Sequence, residues 1–148
     1  MTVGTATAVT TAVVAVLVAI ITWGQWVTNR ARLRHELFER RYAVYEQITG
    51  FIADILISGT VPAGEPEGFS RRTKTAYFVF ACDNDVKVLV RQIYEKAVEL
   101  HALEATLESL KGGERTKNVE AQRTVKDWLQ TTLGSMEGRF EKYFKLTH

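Results

Sequence analysis

A chain of 148 residues, 46% hydrophobic and 24% charged, suits one small domain or a short domain with an appendage. Nineteen basic against 17 acidic residues, net +2, lacks the basic excess of a dedicated nucleic-acid binder. A single cysteine, Cys82, excludes an intramolecular disulfide framework and a thiolate zinc cluster.

The averages conceal an asymmetry. Residues 1–29 carry no charge, so all 36 charged side chains lie in 30–148. The apolar run Ala6–Val27 has 22 residues, which as a helix spans about 33 Å, close to the hydrocarbon thickness of a bilayer. Its threonines are tolerated in lipid because each hydroxyl can bond back to a carbonyl one turn earlier. Trp23 and Trp26 stand at its end, where amphipathic rings favour the headgroup layer. A cleaved signal peptide would need a basic start, a shorter apolar core and a small-residue cleavage site. Met1-Thr2-Val3-Gly4 has no basic residue and the run is long, so the reading is a retained transmembrane anchor over 1–29.

Arg30, Arg32, Arg34, Arg40 and Arg41 follow the run, and segment 30–41 is net +3 against −1 for the remainder. The positive-inside rule then places residues 30–148 in the cytoplasm and the N-terminus outside. Trp23, Trp26, Arg30, Arg32 and Arg34 are the expected interface residues. Gly4, Ala8, Ala12, Ala15 and Ala19, followed by Thr22, recur at three and four and form a small-residue face that another helix could approach. Any alanine-rich span also shows such a stripe by composition.

Leu33, Leu37, Phe38, Tyr42, Tyr45, Ile48, Phe51, Ile52, Ile55 and Leu56 continue at helical spacing, predicting one long helix from the span to about residue 57. Gly59–Gly68 reads as a loop by composition. Ser70 is a candidate cap for a short helix over 71–80, and Tyr77-Phe78-Val79-Phe80-Ala81 is too short for a useful strand. Asp83 is a candidate N-cap for a helix over 84–111 carrying Val86, Leu89, Ile93, Ala97, Leu100, Leu103, Leu107 and Leu110. Gly112-Gly113 reads as its stop. A last helix over 115–145 carries Val125, Leu129, Leu133, Met136, Phe140, Tyr143 and Phe144. The fold class is all-α: an N-terminal transmembrane helix continuous with a cytoplasmic antiparallel helical bundle over 30–148.

The phrase Leu37-Phe38-Glu39-Arg40-Arg41-Tyr42-Ala43-Val44-Tyr45-Glu46 resembles one in small uncharacterised bacterial membrane proteins with an N-terminal span and an "LFexRaxVY"-type helix. The aromatic patch Tyr77–Phe80, the phrase Ile93–Leu100 and the close Phe140–Leu146 fit the same pattern, which covers most of 33–146. The resemblance implies the fold, membrane anchoring and a bacterial inner-membrane location; it transfers no active-site residue. The loop at 59–70 is shorter here than the pattern's second segment.

No catalytic constellation emerges. His35, His101 and His148 are scattered; His101 with Glu104 is one His-x-x-Glu pair, whereas a di-metal bundle needs two Glu-x-x-His pairs and further glutamates. His101 therefore reads as solvated or capping. Asp83-Asn84-Asp85 lacks the spacing of a calcium loop. Cys82 sits beside aspartates, which oppose a reactive thiolate, and reads as a packing or partly exposed residue. The aromatic residues from Phe38 to Tyr94 read as core. Whether Arg40 and Arg41 converge with Arg71, Arg72 and Lys74 depends on packing.

No cofactor is expected. The expected function is a non-enzymatic, membrane-anchored helical module for protein–protein interaction or self-assembly. Its partners are the lipid bilayer, a second copy through the span face, and an unidentified protein; nucleic acid is not expected. The alternative is a membrane-active effector whose span oligomerises and permeabilises the bilayer. Against it, Thr5, Thr7, Thr10, Thr11 and Thr22 make no single polar face.

Overall fold

The structure is a computed structural model that describes the backbone of residues 3–80 and 83–144 and the side chains of 11–80 and 83–144. Cys82 and His148 lie outside the described residues. Helix α1 runs Val3–Ser58 without interruption, as the helical spacing and the absence of proline predict. Then come α2 (Glu65–Arg72), a 3-10 turn (Thr73–Thr75), α3 (Ala76–Val79), α4 (Asn84–Thr106) and α5 (Gly112–Phe144). The fold is all-α, and no strand occurs among the described residues. Packing divides the chain into two units, Met1–Leu37 and Phe38–His148.

Within the second unit, α4 and α5 are antiparallel. The end of α4 meets the start of α5 where Asn118 Nδ2 donates to Leu103 O at 3.0 Å. The start of α4 meets the end of α5 where Lys142 Nζ lies 2.7 Å from Asp83 Oδ2. The bundle segment of α1 is also antiparallel to α5: Phe38 packs on Phe144, Tyr45 on Phe140, and Lys126 Nζ donates to Gly59 O at 2.6 Å. The α2–α3 strap leaves the Gly59 end with Phe69 stacked on Phe51 at 4.3 Å. It finishes with Phe80 against Phe140 and Tyr143. The core has an aliphatic body, in which Ile48, Ile52, Ile55, Ile93, Leu100, Leu129 and Met136 are fully buried, and an aromatic end around Phe80 and Phe140. Each buried leucine or isoleucine contributes roughly 1.5–3 kcal/mol by removal of apolar surface from water.

Four expectations change. First, part of the segment read as loop is helical. Gly64, left-handed at φ 81, turns the chain into α2, and the proline falls in the first turn, where its missing N–H costs nothing. Ser70 therefore lies inside α2, and the expected helix over 71–80 becomes α2, the 3-10 turn and α3. Second, α4 ends at Thr106, short of 111. The Thr106 hydroxyl donates back to Leu103 O at 3.1 Å, and Leu107 N donates to Glu104 O at 3.2 Å, tightening the last turn. Third, Gly112-Gly113 opens α5, with Gly112 at φ 57 redirecting the chain. Fourth, Leu33, Leu37 and Tyr42 are exposed although they fit the stripe, while Val44, off the stripe as read, is buried. Asp83 does cap α4: its Oδ1 accepts from Asp85 N at 2.8 Å.

Candidate membrane segment and bundle surface

Every described side chain from residue 11 to residue 37 is exposed. Within α1 the most apolar eighteen-residue stretch has a mean hydropathy of 1.7, and none of it is buried. A core helix of a soluble domain would hide that stretch. This one leaves Val13, Val14, Val16, Leu17, Val18, Ile20 and Ile21 more than half exposed. By length and composition, α1 is long and apolar enough to cross a membrane. Its backbone polar groups are satisfied within the helix, and its hydroxyls follow suit. Thr22 Oγ1 donates to Val18 O at 2.8 Å and Thr28 Oγ1 to Gly24 O at 2.9 Å.

The residues expected at the interface form a local ladder. The Trp23 and Trp26 rings are 5.9 Å apart, the Arg30 guanidinium lies 5.4 Å from the Trp26 ring centroid, and Arg32 pairs with Glu36 at 3.3 Å. Arg34 is exposed one turn beyond Arg30. Ala12, Ala15 and Ala19 are exposed along one face of α1. The side chains of Gly4 and Ala8, the other members of that face, lie outside the described residues.

In the bundle, the groups that attract attention as chemistry hold the fold together. Asp83 Oδ2 accepts from Lys142 Nζ and from the Tyr143 hydroxyl. Lys142 first, then Tyr143, then the Asp85 amide hold its carboxyl down at about 2. The bond to Asp83 raises the Lys142 ammonium, and burial followed by the same carboxylate raises the Tyr143 phenol. These groups stay in one protonation state near neutral pH, unsuited to proton transfer. Arg41 lies over the Phe80 and Tyr143 rings, at 5.9 and 5.7 Å from their centroids, while Arg72 pairs with Glu65 at 2.9 Å. Arg41 and Arg72 thus have separate partners.

His101 is neither solvated nor capping. Its Nδ1 donates to Val61 O at 2.9 Å, and Glu104 Oε2 accepts from Val61 N at 2.9 Å. One turn of α4 therefore grips both polar groups of a buried loop residue. The His-x-x-Glu spacing was legible in the sequence; the backbone partner 40 residues away was not. Among the described residues, no three of His, Cys, Asp and Glu are placed to hold a metal ion.

The bundle surface also carries large apolar side chains. Ile57 is 85% exposed and Phe78 81%, with Tyr77 and Tyr42 also exposed; of the aromatic residues read as core, these last two and Phe78 are not. Beside Ile57, α1 and α2 enclose a groove of about 620 Å³.

No protein-family profile matches the chain, and comparison with curated proteins and with solved structures returns no similar protein.

Proposed function

We propose that this chain is a non-enzymatic, single-pass membrane-anchored module whose cytoplasmic helical bundle engages a protein partner or further copies of itself. The observation that carries the reading is the contrast inside α1: an uncharged stretch whose described side chains are all exposed, then a bundle with a well-buried core. An apolar surface of that size is stable only in lipid or against other protein. The arginines from Arg30 to Arg41 support an orientation with the bundle on the cytoplasmic side. The resemblance of Leu37–Glu46 to bacterial anchored proteins supports the inner membrane as the location. Exposed Ile57 and Phe78 support a partner-binding role, because large apolar side chains on a bundle surface are common at contact sites.

The membrane-active alternative draws on the small-residue face, of which Ala12, Ala15 and Ala19 are exposed on α1. The Thr22 hydroxyl bonded to its own helix disfavours a hydrophilic pore lining. The two readings separate in one experiment. Photoreactive residues at Ile57 and Phe78 of the full chain, irradiated in native membranes, should yield discrete protein adducts without dye leakage from the cells. Dye leakage on expression, with no adduct from either position, would overturn the module reading in favour of the effector.

A further inference from the structure

The groove between α1 and α2 has an unbalanced polar lining. Its acceptors are the carboxylates of Glu46 and Asp54, which are exposed and form no ion pair among the described residues. Its one cation, Arg72, is already paired with Glu65 at 2.9 Å. The unpaired charge of the lining is therefore negative.

The apolar part complements this. The core residues Phe51 and Ile55 form the floor of the groove, and Ile57 stands 85% exposed at its edge. Gly50 lies between Gln47 and Phe51 on α1, and a Cβ built there meets nothing within 4 Å. The fold itself does not require glycine at that position, and its missing side chain leaves the groove open. Glu46 and Asp54 are eight residues apart on the helix, about 12 Å along its axis.

We propose that this groove docks a cationic amphipathic helix of a protein partner. Its Lys or Arg side chains, roughly seven or eight residues apart, would meet Glu46 and Asp54, with its apolar face over Ile57. The proposal rests on the interaction-module reading and assigns that module its docking face and the charge of its partner.

The test uses the full chain in zwitterionic nanodiscs and a synthetic Leu/Lys amphipathic helix with a photoreactive apolar residue. Cross-links should map to residues 46–58 and 62–72. Gly50→Leu, whose Cβ meets open space and whose side chain would occupy the groove, should lower their yield about tenfold, equivalent to about 1.4 kcal/mol of binding. The double variant Glu46→Lys, Asp54→Lys should lose the Leu/Lys probe and accept a Leu/Glu probe that the parent rejects. Unchanged melting of each variant excludes unfolding as the cause. Cross-links outside the groove, or yields indifferent to Gly50→Leu and to the charge swap, would overturn the proposal. In native membranes, a partner whose adducts survive Gly50→Leu would overturn the groove and leave the module reading intact. No adduct from the parent chain would remove both.

Discussion

Residues 11–29 and 44–58 belong to the same helix and both are rich in aliphatic side chains, but only the second set is covered by the rest of the chain. In 44–58 the apolar residues Val44, Ile48, Phe51, Ile52 and Ile55 fall on one stripe and are buried, while Glu46 and Asp54 lie off it and are exposed. In 11–29 the apolar residues surround the helix, and none is covered. Amount of hydrophobicity does not separate the two; its angular distribution does. A stripe can be satisfied by two neighbouring helices, whereas an all-round apolar surface needs a medium that surrounds it.

The largest expected effect breaks the helix between these regions. Deleting residues 1–29 should convert a membrane-bound chain into one recovered in the soluble fraction, with a helical circular-dichroism spectrum and cooperative melting. A disordered spectrum would show that the bundle borrows stability from the membrane segment, and the contrast would collapse.

A smaller effect measures the covered region alone. Leu129→Ala empties a fully buried site and should cost roughly 2–5 kcal/mol in chemical denaturation. Gln130→Ala, on the exposed side of the same turn, should stay within about 0.5 kcal/mol. Equal losses would mean that the stripe does not carry the fold.

Acid tests the polar latch at the aromatic end. Asp83 titrates at about 2 in the fold, below its ordinary value near 4 when unfolded. Its contribution is therefore complete above about pH 5 and is lost as pH falls through about 2. Parent and Asp83→Asn proteins should differ in melting temperature at neutral pH and converge toward pH 2. A constant difference across that window would remove the carboxylate's role.

The smallest effect probes the uncovered face of the bundle. Gly50→Ala should raise stability by about 0.5–1 kcal/mol, because the helix gains a better former and the new methyl meets open space. A loss would reveal an occupant or a contact at that face.

The stripes containing Ile48, Ile93 and Leu129, the Asp83 cap and the uninterrupted α1 were legible in the sequence, because periodicity and capping are local properties. The unexpected starts of α2 and α5 share a cause. Gly64, Pro66 and Gly112 announce a change of direction, but glycine at positive φ serves a helix start as readily as a stop. Which role each plays is decided by what the next segment packs against: Phe69 on Phe51 for α2, and Asn118 on the end of α4 for α5. Arg41 over Phe80, His101 on Val61 and the α1–α2 groove join residues many positions apart. By itself the sequence determined that the chain is helical, where its apolar faces lie and that its first segment suits lipid, since each follows from spacing within a few turns. Only tertiary packing decided which of those faces are covered and which carboxylates remain unpaired, because burial and ion pairing depend on the whole folded chain.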